Sequence, residues 1–220
     1  MIPPSPDGSR RRETQQDAPV TDSSPLPPSH ALACSIAALS LSLQLRDAYT
    51  RHHCDRVGLL ATSLARHCGL DPAHCDRIGL AACFHDIGKI GTPDDVLLSS
   101  GRHDEAEQAI MRQHPVHGER IFLATGRSDA AEVARLIRAH HEAFDGSGYP
   151  DGLRGEAIPL GARILTLVDA WDAMTSDRPY RDAMDRERVM RILEEAAGGL
   201  VDPYLLGSFQ ALLRRAPALA

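Results

Sequence analysis

The chain has 220 residues, 43% of them hydrophobic and 25% charged, which suits one well-buried globular domain with a tail. Acidic side chains outnumber basic ones, 30 to 24, for a formal net charge of −6, and aromatics make up only 4%. That balance argues against a protein that wraps long nucleic acid or stacks single strands on aromatic rings.

Five cysteines with no Cys-x-x-Cys pair argue against a disulfide framework or a zinc ribbon. Cys34, Cys54, Cys68, Cys75 and Cys83 read as small, buried, reduced side chains. No stretch reaches the roughly 20 apolar residues that span a bilayer. The best candidate, Ala31 to Leu45, is short and broken by serines and Gln44. The polar run ahead of it does not suit a secretory signal, so a cytoplasmic location is expected.

Residues 1–29 are rich in Pro, Ser, Asp and Arg and lack apolar periodicity, so a disordered tail is expected there and a folded domain over 30–220. From Ala31 the pattern is helical. Leu39, Leu43 and Leu45 open one face. Val57, Leu60, Leu64 and Cys68 lie on a helix that Gly69 ends. Asp71-Pro72 reads as an N-cap followed by a first-turn proline. That helix carries Ile78, Leu80, Ala81 and Phe84 to His85 and Asp86. A helix from about Asp104 to Leu123 and another from Ala130 to His141 follow. A long glycine-rich loop, Phe144 to Pro159, comes next. Helices resume over Leu160 to Met174, Asp185 to Ala197 and Asp202 to Leu213. No useful alternating strand pattern occurs, so the expected class is all-α.

Three features carry chemistry. His85-Asp86 ends an apolar helix. His140-His141 ends another and leads into Glu142 and the glycine-rich loop. Asp169 lies inside the apolar run Ile164 to Ala173. Neighbours on a helix point about 100° apart, so neither adjacent pair can face one core with both side chains, whereas a metal centre at a helix end can use both. An Asp in an apolar helix needs a metal or an arginine to offset its desolvation. Singly, such residues are most often structural, and His52, His67, His74 and His103 are read that way. Together, imidazoles and carboxylates without thiolates suit iron, manganese or zinc, and two such ions suit phosphodiester displacement.

His85-Asp86-Ile87-Gly88-Lys89-Ile90 resembles the signature of the HD metal-dependent phosphohydrolases. His140-His141-Glu142-Ala143-Phe144-Asp145-Gly146-Ser147-Gly148-Tyr149-Pro150 narrows the resemblance to the HD-GYP family of cyclic di-GMP phosphodiesterases, with Phe144 in place of the usual tryptophan. Leu153-Arg154-Gly155, Ile158-Pro159, Ala162-Arg163-Ile164, Asp169 and Arg178-Pro179-Tyr180-Arg181 follow in that family's order.

The resemblance implies an HD-domain helical bundle with additional C-terminal GYP helices. It implies metal ligands at His53 (in His-x-x-Arg-Val, with Arg56 and Val57), His85, Asp86, His114, His140, His141 and Asp169. In the family's arrangement His53, His85 and Asp169 serve one ion, His114, His140 and His141 the other, and Asp86 bridges. Tyr49 stands where one branch has a glutamate for a third metal, so two ions are expected, iron or manganese. Asp86 and Lys89 are the expected catalytic residues. Lys89, Tyr149, Arg178 and Arg181 are the expected substrate contacts.

The implied activity is hydrolysis of cyclic di-GMP to linear pGpG, with further cleavage to GMP left open, in bacterial second-messenger signalling. The alternatives are a related cyclic dinucleotide as substrate, or a catalytically weak receptor or protein-interaction module that binds without cleaving. A diguanylate cyclase or another signalling protein is the expected partner of the GYP loop. Leu98-Ser99-Ser100-Gly101-Arg102 lacks the family's usual Lys-Pro-Gly, and His103-Asp104 replaces Leu-Thr. No receiver or sensor domain is legible ahead of the helices, so any signal input is expected from elsewhere.

Overall fold

The computed structural model describes residues 38, 39, 41, 42, 50–99, 101–177 and 181–219. The expected tail, Cys34, Leu43, Leu45, Tyr49 and Arg178 lie outside them. The described residues are helical, with one isolated bridge between Ala197 and Val201. The all-α expectation holds. No described helix is long and apolar enough to cross a membrane.

α1 (Thr50–His67) and α2 (Pro72–Phe84) pack along each other. Gly69, at φ +79°, closes α1 in the left-handed conformation that favours glycine. Asp71 caps α2, accepting from the His74 N–H at 3.0 Å, with Pro72 in the first turn. A 3-10 turn, Ile87–Gly91, leads to the short α3 (Asp94–Leu97).

The helix expected over Asp104 to Leu123 is two helices, α4 (Glu105–Met111) and α5 (His114–Leu123). Pro115 is the cause. It lacks an N–H, and its ring would collide with the Met111 carbonyl four residues back. The released Met111 oxygen accepts instead from His114 Nδ1 at 2.8 Å. α4 begins at a capping box, in which Asp104 and Glu107 satisfy each other's backbone N–H groups.

α6 (Ala130–Ala139) packs on α5 and α2, burying Val133, Ala134 and Ile137. A helix this short is marginal alone, and burial worth roughly 1.5–3 kcal/mol per large apolar side chain holds it. α7 (Leu160–Thr175) crosses α1 and is largely buried. α8 (Arg186–Glu195) and α9 (Pro203–Arg215) cover α7, with Trp171 edge-on to Phe209 at 5.4 Å. Cys54 and Cys75 are buried and Cys68 is half-buried, but Cys83 is exposed, contrary to expectation. Its sulfur faces Gly58, which offers no side chain to cover it.

Candidate metal centre

The centre lies where helices end. α2 stops at Phe84, so His85 is its C-cap and Asp86 opens the 3-10 turn. α6 stops at Ala139, with His140 as C-cap, two residues earlier than expected. At these ends both members of each adjacent pair reach the donor groups, although His85 and His140 keep right-handed backbone angles. His114 starts α5, His53 lies in the first turns of α1, and Asp169 projects from the middle of α7.

Glycines allow the approach. A Cβ on Gly88 would lie 1.9 Å from the His114 carbonyl oxygen, and one on Gly118 would lie 2.8 Å from Ile137 Cγ2. Only bare backbone lets the turn after Asp86 lie against α5, and α5 against α6.

The expected ligands form two groups whose donor atoms lie within 4.8 Å of one another: His53, His85 and Asp169, and Asp86, His114, His140 and His141. Asp86 faces both. Its Oδ1 is 3.3 Å from His114 Nε2 and its Oδ2 is 3.5 Å from His85 Nε2. His53, His85, Asp86, His114 and His140 are buried, and Asp169 and His141 are partly open.

The donor chemistry fits bound cations. The Nδ1 atoms of His85, His114 and His140 donate to the carbonyls of Ala82 (2.7 Å), Met111 (2.8 Å) and Ile137 (2.6 Å). A carbonyl only accepts, so Nδ1 carries a proton in each ring, and in a neutral ring Nε2 then carries the lone pair. His53 and His85 bring their Nε2 atoms to 3.3 Å of each other. His114 and His140 bring theirs equally close, lone pair to lone pair. Two facing lone pairs repel, and a cation between them removes the repulsion.

Protonation states agree with this. Burial, reinforced by neighbouring imidazoles, pushes His140 well below its usual value. Burial also pushes His114 down to about 4 and His141 to about 3, leaving them neutral as ligands must be. Burial alone would raise the two aspartates. Lys89 and the histidines outweigh it at Asp86, and His53 and His85 outweigh it at Asp169, so both stay ionised. His53 differs: against the effect of burial, hydrogen bonds to Asp169 and Asp172 push it up to about 9 without a metal.

Sequence reasoning did not single out Asp172. It is buried one turn beyond Asp169, accepts from His53 Nδ1 at 2.7 Å, and pairs with Arg56 through Nε (2.5 Å) and Nη2 (3.0 Å). The available signal was two matched i, i+3 pairs, His53 with Arg56 and Asp169 with Asp172, on helices that cross. Glu142, also buried, shapes the glycine-rich loop by accepting from the N–H groups of Asp151 (2.8 Å) and Leu153 (2.9 Å).

Among the other expected site residues, Lys89 Nζ donates to Asp86 Oδ2 at 2.6 Å. Tyr149 stacks on the His141 ring, centroids 4.8 Å apart and planes 27° apart. Arg181 is exposed, and its guanidinium donates to the Ala173 carbonyl in the last turn of α7.

Comparison with known proteins agrees with this architecture. The model of the HD domain family matches residues 34–205. The chain is 39% identical over 181 residues to the cyclic di-GMP phosphodiesterase response regulator RpfG of Xanthomonas campestris, covering 82% of this chain and 47% of that protein. It is 35% identical over 200 residues to 3′3′-cGAMP-specific phosphodiesterase 3 of Vibrio cholerae, covering 87% of this chain and 43% of that protein. It thus spans a little under half the length of these relatives. A solved structure of an HDG"Y"P protein from Bdellovibrio bacteriovorus shares the fold, with a TM-score of 0.61 at 18% identity over 85% of this chain and 63% of that one. With its HD pair and GYP loop folded around one histidine-rich centre, the chain belongs to the HD domain family, in its HD-GYP branch.

Proposed function

We propose that this chain is a phosphodiesterase that hydrolyses cyclic di-GMP to linear pGpG, using two divalent ions of iron or manganese held by His53, His85, Asp86, His114, His140, His141 and Asp169. The observation that carries the reading is the pair of donor groups joined at Asp86, with the Nε2 atoms of two imidazoles 3.3 Å apart inside each group. The substrate rests on relatives named as cyclic di-GMP phosphodiesterases in Xanthomonas campestris and Thermotoga maritima.

Bound there, two ions would supply an acidified water and would stabilise the oxygens that enter and leave phosphorus in line. As the water oxygen bonds to phosphorus, the P–O3′ bond breaks and the 3′ oxygen takes up a proton. Lys89, held 2.6 Å from Asp86, is the side chain placed to donate that proton or to neutralise the phosphate. Arg181, with Arg178, would grip the second phosphate. Asp86 and Asp169 offset the charge of the cations.

A second reading, hydrolysis of 3′3′-cGAMP, is favoured by the Vibrio cholerae relative of that name. The exposed Asp145, Ser147 and Asp151 on the GYP loop suit a diguanylate cyclase or another signalling partner, in the cytoplasm of a bacterium.

Turnover of a cyclic dinucleotide panel by manganese- or iron-loaded protein tests the reading. Cyclic di-GMP should be the best substrate, with turnover tracking metal content. Asp86→Ala should lose both metal and hydrolysis, and full activity in that variant sinks the mechanism. Binding of cyclic di-GMP without turnover at full metal load would make the chain a receptor.

A further inference from the structure

Four of the five clustered histidines are aimed by a hydrogen bond at Nδ1, three to carbonyls and His53 to Asp172. The fifth is held differently. Among the described residues the His141 ring makes no hydrogen bond. It is packed between rings: His140 at 4.0 Å, His114 edge-on at 5.0 Å, and Tyr149 stacked at 4.8 Å. His140 and His114 are themselves pinned by carbonyls, so Tyr149 is the neighbour whose placement is set separately.

The GYP loop is built to set it. The Tyr149 N–H donates to the His141 carbonyl at 3.1 Å, tying the tyrosine to the residue on which it stacks. A Cβ on Gly148 would lie 2.2 Å from Ala143 N and 2.5 Å from the His141 oxygen, so only glycine lets the loop fold back this closely. Glu142 fastens the far side through the N–H groups of Asp151 and Leu153. Arg112, at the end of α4, lays its guanidinium carbon 5.3 Å from the centroid of the Tyr149 ring. Arg112 and Tyr149 both line a groove of about 390 Å³ that also includes Glu105, Gln108, Gln113 and Pro150.

We propose that Tyr149 is a positioning residue for His141, doing by ring stacking what carbonyls and Asp172 do for the other four histidines, and that Arg112 clamps the stack from the groove. Stacking fixes the plane of a ring but locks no proton on Nδ1. His141 is therefore the least constrained ligand, and the ion held by His114, His140 and His141 is the one released first. Sequence resemblance implies only substrate contact for Tyr149, whereas this role acts on the metal before any substrate arrives. The inference rests on the two-metal reading above.

The test loads full-length wild type, Tyr149→Leu, Tyr149→Phe and Arg112→Gln with manganese(II) and follows its release to a chelator, alongside kcat and KM for cyclic di-GMP. Wild type should release two equivalents in two phases. Tyr149→Leu should speed only the faster phase, by about tenfold or more, as loss of a ligand-orienting group does. Tyr149→Phe keeps the stack and should restore the wild-type rate. Arg112→Gln should speed the same phase about two- to fivefold, as loss of an exposed cation–π contact does.

Unchanged release in Tyr149→Leu, with KM raised instead, overturns the proposal, and so does a Phe variant that behaves like Leu. If the Leu variant does not fold, Arg112→Gln at its exposed position decides, and wild-type release there overturns the clamp. A wild type that holds fewer than two equivalents brings down the two-metal reading itself, an outcome distinct from two equivalents released alike in every variant.

Discussion

Asp172 shows how one carboxylate beyond the expected ligands orients a candidate ligand, His53. Its oxygens take His53 Nδ1–H and the Arg56 fork, which leaves His53 Nε2 as the atom turned to His85 and Asp169. Asp172→Asn keeps the shape but removes the charge that holds both partners. It should weaken binding of the ion at His53, His85 and Asp169 by about 10- to 100-fold, read by chelator competition. In the sequence this residue is one more polar position in α7, because nothing local reports that α7 crosses α1 at that height. His140-His141 and His85-Asp86 were legible by contrast, since two adjacent polar ligand types at the end of an apolar helix break the amphipathic pattern.

Among the elements, helix ends matter more than helix middles. The candidate ligands His85, His114 and His140 sit at termini, where carbonyls left over from the helix take up their Nδ1 protons. The division into α4 and α5 belongs to this scheme, since an unbroken helix would have used the Met111 carbonyl internally. That break was missed because apolar periodicity runs across it, although Pro115 carried the signal. The glycine after Asp86 is equally tied to one contact. Gly88→Ala would drive a Cβ against the His114 carbonyl, with backbone on both sides and no flexible side chain to yield. It should cost about 1–3 kcal/mol or more in chemical denaturation of the metal-free protein. It should also reduce the metal content per folded chain, because α5 must shift and carry His114 with it.

At the scale of the whole molecule, the centre joins segments from α1, α2, α5, α6 and α7, so bound metal acts as a cross-link among them. Only the folded chain assembles both donor groups, so ligation stabilises that state by about 2.7 kcal/mol when free metal is a hundredfold above its Kd. Chelation should lower Tm by roughly 5–10 °C for a domain of this size, and manganese should restore it, both followed by calorimetry. The net charge of −6 also acts globally. Acidic residues on exposed faces repel a long polyanion, while the local field at the centre would be set by bound cations and Lys89. Excess duplex DNA at physiological salt should therefore leave turnover of a small cyclic dinucleotide unchanged to within about twofold, measured by product formation.

By itself the sequence determined the all-α class, the stops at Gly69 and the start at Asp71-Pro72, and the chemical type of the centre. These follow from short-range physics: apolar period, capping residues, and imidazoles and carboxylates placed without thiolates. Which histidine shares a site with which was implied by family resemblance, not by spacing. Only the tertiary structure brought His53 beside Asp172 across 119 positions, laid Tyr149 on His141, and turned the two oxygens of Asp86 toward different donor groups. Such proximities depend on how helices cross and where glycine lets backbones meet, and local periodicity holds no record of either.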